Sequence, residues 1–201
     1  MANPEAKPTH FTTTTQAEMY FADNHPLGTP EVYWLRANAT YTAPKTATMQ
    51  LGLCVMGKGR LYIDGKQVVD LWTSHPKKTL QTPMFNQASM EVTAELEAEA
   101  GKMYEISVLL RNESIDASVG ALNSGGLRIG CCEKLDPAVA LAGAVELARH
   151  VDVPIVIAGL NADYEIEAAD RKDLELPPGV NELIEKVMEA NPRTVSRWEL
   201  P

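Results

Sequence analysis

The sequence predicts a mixed architecture, a β-sandwich followed by an incomplete α/β layer segment. Three observations carry that reading. From Met19 to Cys132, short apolar runs alternate with turn residues at close spacing, the signature of a sandwich. At Leu135-Asp136-Pro137 the pattern becomes helical around one continuous apolar run. The charge shifts too. Residues 1–90 carry 8 basic and 6 acidic side chains, a net of +2, whereas residues 91–201 carry 10 and 21, a net of −11. Such a shift indicates two different units. The expected boundaries are a lead-in or edge segment over 1–18, a sandwich over 19–134 and the α/β segment over 135–201.

Val32-Tyr33-Trp34-Leu35 and Ala39-Thr40-Tyr41-Thr42 read as short strands, the second ending before Pro44. Thr48 to Met56 is a third run, closed by Gly57-Lys58-Gly59. Arg60 to Ile63 and Lys66 to Trp72 flank Asp64-Gly65, a hairpin signal because a type I′ turn needs positive φ at both central residues. In Ser89 to Leu96, Glu91, Glu95 and Glu99 have helical spacing. Val92, Ala94, Leu96 and Ala98 alternate with polar residues, however, so a half-buried strand is expected. Met103 to Leu110 and Leu127 to Cys132 complete the sandwich.

Asp136 and Pro137 suit the N-cap and first position of a helix through His150, with Val139, Leu141, Val145, Leu147 and Ala148 as its apolar side. Val153 to Leu160 is nearly continuous in apolar residues and is expected to be a central strand buried on both faces. Asn181 to Ala190 reads as an amphipathic helix with Leu183, Ile184, Val187 and Met188 inward. A second strand belongs near Thr194-Val195, yet the chain reads Ser196-Arg197-Trp198-Glu199-Leu200-Pro201. One strand and two helices cannot bury both faces of a parallel sheet, so a truncated domain with partly exposed apolar faces and self-association through them is expected.

The 201 residues (22.0 kDa) suffice for one large or two small domains, and 45% apolar with 22% charged residues is a globular balance. A net charge of −9 argues against nucleic acid or an anionic membrane as partner. Cys54, Cys131 and Cys132 form neither a disulfide framework nor a zinc pattern, and read as buried reduced thiols. The N-terminus has no apolar core of a secretory signal, and no apolar run reaches the ~18 residues of a membrane span, so a cytoplasmic location is expected.

The segment after the apolar strand, Asn161 to Pro177, is rich in carboxylates. On composition alone it reads as a solvated acidic loop. It also leaves the carboxyl end of a strand, where α/β sheets bind ligands, and paired carboxylates there suit glycoside hydrolysis. Pro154-Ile155-Val156-Ile157-Ala158-Gly159-Leu160-Asn161, Tyr164-Glu165-Ile166-Glu167, Asp170-Arg171, Leu176-Pro177, Asn181-Glu182-Leu183-Ile184 and Ala190-Asn191-Pro192 resemble glycoside hydrolase family 3, specifically the α/β sandwich domain of fungal β-glucosidases. The resemblance implies that Glu167 is the general acid/base and that Asp170 and Arg171 bind substrate, with Ala168 standing where the family usually has glycine. Residues 11–134 resemble the protective-antigen-like sandwich insert of the same enzymes. The resemblance rests on Gly57-Lys58-Gly59-Arg60-Leu61-Tyr62-Ile63-Asp64-Gly65, Phe85 and Ala100-Gly101-Lys102-Met103-Tyr104. It implies that Phe85 faces substrate, although burial habit alone would place a Phe in the core.

The family's nucleophile is an Asp on a separate (β/α)8 barrel, in a Ser-Asp-Trp-like motif. The sequence holds neither Ser-Asp nor Asp-Trp. A retaining mechanism needs two carboxylates about 5–5.5 Å apart, so a β-glucosidase fragment inactive by itself is expected. The alternative is a carbohydrate-binding module without catalysis. The expected ligands are β-glucosides or cellobiose. No cofactor is implied, and no metal either, because the adjacent Asp-Asp pair by which lectin relatives hold calcium is missing.

Overall fold

A computed structural model describes residues 7–21, 31–77, 83–113, 125–161, 163–164 and 173–199, with backbone alone at 85–86 and 198–199. The chain divides into two compact units, Met1–Lys134 and Leu135–Pro201. The net charge is −2 in the first (12 basic, 14 acidic) and −7 in the second (6 basic, 13 acidic).

The first unit is a β-sandwich. Its strands are β1 (Glu18–Phe21), β2 (Trp34–Thr42), β3 (Ala47–Met56), β4 (Lys58–Ile63), β5 (Lys66–Leu71), β6 (Val92–Ala98), β7 (Met103–Arg111) and β8 (Gly125–Glu133). One helical turn, α1 (Pro83–Asn86), precedes β6. Two four-stranded antiparallel sheets form, in the orders β1-β8-β3-β6 and β2-β7-β4-β5. The core draws on both. Leu51, Leu53, Val55 and Leu127 come from the first sheet, and Leu61, Leu71, Val108 and Leu110 from the second. Alternation explains the rest. In β7, Tyr104, Ile106, Val108 and Leu110 turn inward while the residues between them are less buried. In β6, Thr93, Glu95 and Glu97 face water, where Glu97 accepts from Thr48 at 3.0 Å and Glu95 pairs with Lys134.

Asp64 (φ 49°) and Gly65 (φ 76°) form the expected positive-φ turn between β4 and β5. The two runs expected around Ala37 are a single strand, since β2 pairs without a break along β7 from Trp34↔Arg111 to Thr42↔Met103. The expectation of buried thiols holds for Cys54 alone, and Cys131 and Cys132 are exposed. The reason is the short partner strand: β1 pairs with β8 only as far as Arg128 and leaves the last residues of β8 open on that side.

The second unit contains α2 (Pro137–Arg149), β9 (Ile155–Gly159), α3 (Val180–Ala190) and β10 (Val195–Glu199). The Asp136 carboxylate caps α2, accepting from the Ala138 N–H at 2.8 Å. Two expectations are corrected here. The last residues do form a second strand, parallel to β9 in the register Val195↔Ile155 to Glu199↔Gly159. And β9 is buried on one face only. Val156 and Ala158 are covered, whereas Ile155 and Ile157 are 68% and 62% exposed. α2 and α3 both pack on the covered face, through Ala144, Ala148, Leu183, Ile184 and Val187, so Val139, Leu147 and Met188 also remain exposed. Asn191 joins the two helix ends, its Nδ2 donating to the carbonyls of Ala148 and Val151 at 2.9 Å each.

Leu53 is fully buried. Leu53→Ala is expected to destabilise the sandwich by about 2–5 kcal/mol, the cost of lost transfer energy plus the residual cavity, read by urea denaturation of the full chain.

Candidate functional site

The strand ends sort the turns of the sandwich. At one end lie the tight connections, residues 43–46, 64–65 and 99–102. The three long connections, 22–33, 72–91 and 112–124, all leave from the other end, where the β3–β4 turn also lies. Loops gathered at one end of a rigid sandwich are where such a fold carries binding function. Gly57 makes the β3–β4 turn with φ 113°, and a Cβ there would come within 2.3 Å of the Arg111 carbonyl oxygen. This close approach, open only to glycine, brings the two sheets together at the loop end.

Buried polar side chains hold the roots of these connections. Asn112 is 3% exposed. Its Oδ1 accepts from the Tyr33 N–H at 2.8 Å and its Nδ2 donates to the Glu31 carbonyl at 2.9 Å, so the 22–33 and 112–124 connections are tied where they meet β2 and β7. Tyr33 lies beside them, and burial pushes its hydroxyl up to about 12. Ser89, fully buried, accepts from the Val55 N–H through Oγ at 3.1 Å and donates its own N–H to the Val55 carbonyl at 2.8 Å. It pins the end of the 72–91 connection to β3.

That connection carries Phe85. Pro83–Asn86 is a helical turn on the outer face of the first sheet. There Met84 packs with Cys54, Met56 and Ala88, which is why the end of β3, from Leu53 to Met56, is buried on both faces. Met84 holds a left-handed φ of 55°, a strained conformation for a methionine, sustained by burial of its side chain. The backbone of Phe85 is thus fixed beside a buried anchor; its side chain lies outside the described residues.

In the second unit, the segment after β9 leaves the carboxyl end of the strand, and β10 brings its own carboxyl end alongside, Glu199 opposite Gly159. Asn161 starts the segment with a tight turn. Its Oδ1 accepts from the Asp163 N–H at 3.0 Å and its carbonyl from the Tyr164 N–H at 2.9 Å. Glu167, Asp170 and Arg171 lie outside the described residues. A shallow groove of about 400 Å³ runs between α2 and α3, lined by Val145, Arg149, Lys186, Glu189 and Ala190. It lies toward the C-terminal ends of the two helices, and its cations pair with carboxylates of their own helices, Arg149 with Glu146 and Lys186 with Glu189. Among the described residues, no group of three or more His, Cys, Asp or Glu side chains could hold a metal ion, and no helix is long and apolar enough to cross a membrane.

The family model of the PA14 domain matches residues 2–134. The chain belongs to the PA14 domain family. Beyond this PA14 sandwich the likeness extends into the second unit. The chain is 34% identical over 201 residues to probable β-glucosidase J of Neosartorya fischeri, covering 96% of this chain and 23% of that protein. To the protein of the same name from Emericella nidulans it is 33% identical over 86% of this chain and 20% of that protein. A solved structure of a β-glucosidase from Kluyveromyces marxianus superposes with a TM-score of 0.84 at 24% identity, over 96% of this chain and 23% of the other. A second structure of that enzyme, in complex with glucose, gives a TM-score of 0.80. The fold is therefore shared, and the chain spans about a quarter of the length of these proteins.

Asn112, Ser89 and Met84 were not singled out by sequence reading. Asn112 follows directly on the Met103–Arg111 strand, and that placement of a polar amide at a strand end is the signal that marks it.

Burial holds Tyr33 neutral to about pH 12 in the folded state, against an ordinary value near 10. The folded chain therefore binds more protons than the unfolded chain between these pH values. The stability contributed by neutral Tyr33 is complete below pH 10 and falls as pH rises toward 12. Tyr33→Phe is expected to lose stability less steeply than wild type over that interval, as measured by urea denaturation at stepped pH.

Proposed function

We propose that this chain is part of a β-glucosidase of glycoside hydrolase family 3. In this reading the PA14 sandwich contributes sugar binding and the α/β unit carries the acid/base loop. The observation that carries the reading is collinearity. One probable β-glucosidase matches 96% of this chain at 34% identity, through both units and in the same order. The Glu167 carboxyl protonates the glycosidic oxygen of the leaving group and then, as carboxylate, deprotonates the water that releases glucose. Asp170 and Arg171 bind the substrate, and Phe85 stacks on a pyranose ring. Support comes from the origin of the Glu167 segment at the carboxyl end of β9, and from the burial of Met84 and Ser89 on either side of Phe85.

Retaining hydrolysis also needs a nucleophilic carboxylate about 5–5.5 Å from the acid/base. The 201 residues contain neither dipeptide of the family's nucleophile motif. By themselves they are expected to release no nitrophenol from a nitrophenyl β-glucoside above the level of Glu167→Gln. Turnover that disappears in Glu167→Gln would show that the nucleophile is supplied from within these residues, and would refute the fragment reading.

A second reading, carbohydrate binding without catalysis, is favoured by one contrast. The sandwich encloses its core between two sheets, while β9 is covered on one face only. Cellobiose is expected to bind the full chain in titration calorimetry, with affinity reduced about tenfold or more in Phe85→Ala, the loss of one stacked ring. Heatless titrations with an unchanged melting temperature at high cellobiose concentration would remove the binding reading and the stacking role of Phe85.

A further inference from the structure

The outer face of the second sheet carries a cluster that the proposed site does not use. Trp34 begins β2 and Trp72 follows β5, at opposite edges of the order β2-β7-β4-β5. Three strand spacings separate them, roughly 14 Å at about 4.8 Å each. Their ring centroids nevertheless stand 5.0 Å apart with planes inclined by 21°. The two indoles therefore reach toward each other across β7 and β4. The Arg111 guanidinium lies over the Trp34 ring at 5.7 Å and that of Arg60 over the Trp72 ring at 5.1 Å.

Two carboxylates brace the cluster. Glu113 Oε2 lies 3.2 Å from Lys58 Nζ and 3.3 Å from Arg111 Nε. Asp70 Oδ1 accepts from the Trp72 N–H at 2.7 Å and the Thr73 N–H at 3.3 Å, and lies 3.7 Å from Arg60 Nε. Burial pushes the Asp70 carboxyl up, but these bonds and the Arg60 charge outweigh it and hold it below its ordinary value.

Trp34, Trp72 and Arg111 each stand at the root of a long connection, and Arg60 reaches the cluster from within β4. Trp34 closes 22–33, Trp72 opens 72–91, and Arg111 with Glu113 opens 112–124. We infer that Trp34, Trp72, Arg60 and Arg111 form a latch that positions the roots of all three connections. Each indole already stacks on one indole and lies under one guanidinium, so the cluster is a clamp rather than a platform for a sugar ring. The 72–91 connection is then held at both ends, by the latch on the outer face of the second sheet and by Met84 and Ser89 on the first. Insofar as Phe85 contacts a sugar, which rests on the reading proposed above, the latch is a positioning device for that contact.

Hydrogen exchange on the full chain tests this. Trp72→Ala is expected to speed exchange of the Tyr33, Thr73 and Asn112 amides about tenfold or more, as fits loss of one aromatic pair and one cation–π contact. Amides of β3 from Leu51 to Val55 should be unchanged, and Trp72→Phe, which keeps a ring, should restore most of the protection. Should Trp72→Ala fail to fold, Arg60→Met and Arg111→Met carry the same comparison. A uniform rise across both sheets, or no change at the three roots, overturns the latch. Cellobiose affinity of Trp72→Ala is read alongside. Wild type that binds no cellobiose defeats the sugar reading and leaves the latch decided by exchange alone.

Discussion

The inner faces of the two sheets share one apolar layer, in which the leucines and valines of β3 and β8 meet those of β4, β5 and β7. β3 is the hinge of this arrangement. Its odd-numbered residues Leu51, Leu53 and Val55 enter the layer, while Cys54 and Met56 are covered from outside by the segment around Met84. A one-residue slip of β3 would exchange its faces, sending Leu51, Leu53 and Val55 to the side packed by Met84, and Cys54 and Met56 into the layer between the sheets. The register of β6 and β8 on either side of it is thereby fixed, and so is the end of the sandwich from which each long connection departs.

From that end the polar interactions take over. Asn112 and Ser89 are nearly or wholly buried, and each bonds backbone groups of a distant strand or loop. Buried polar groups satisfied in this way restrict a loop root to one geometry, because any other leaves a donor or acceptor without a partner. A short segment such as 83–90 can then retain an unfavourable backbone angle at Met84, the strain being offset by the contacts of its side chain. The second unit follows a different rule. Its two-stranded parallel sheet is covered by helices on one side, and Ile155, Ile157 and Val195 line the other in contact with water. Buried parallel strands are apolar on both sides because both sides are meant to be covered. β9 has that composition while showing only one covered face, in a chain that spans about a quarter of the proteins it resembles.

Sequence reading went furthest where local chemistry leaves little choice. The Asp64-Gly65 turn, the Asp136 cap and the alternation in β6 and β7 each follow from a backbone or periodicity requirement that a few residues satisfy among themselves. It went less far where the outcome depends on a neighbour. The unbroken pairing of β2 along β7, the exposure of Cys131 and Cys132 beside a short β1, and the formation of β10 against β9 are set by a partner strand remote in sequence. Of the candidate site, Phe85 and the segment bearing Glu167 were legible through resemblance. The anchoring of the segment around Phe85 was not, because Met84 and Ser89 are ordinary residues until β3 is laid beneath them.

The sequence by itself determined the class of each unit, the place where one grammar gives way to the other, and the side on which the charge accumulates, since composition and periodicity are properties of consecutive residues. Only the tertiary structure decided that three long connections leave one end of the sandwich together, and that two indoles from opposite edges of a sheet come to lie 5.0 Å apart. Those facts depend on strand order, and strand order is chosen by the packing of whole sheets rather than by any local run of residues.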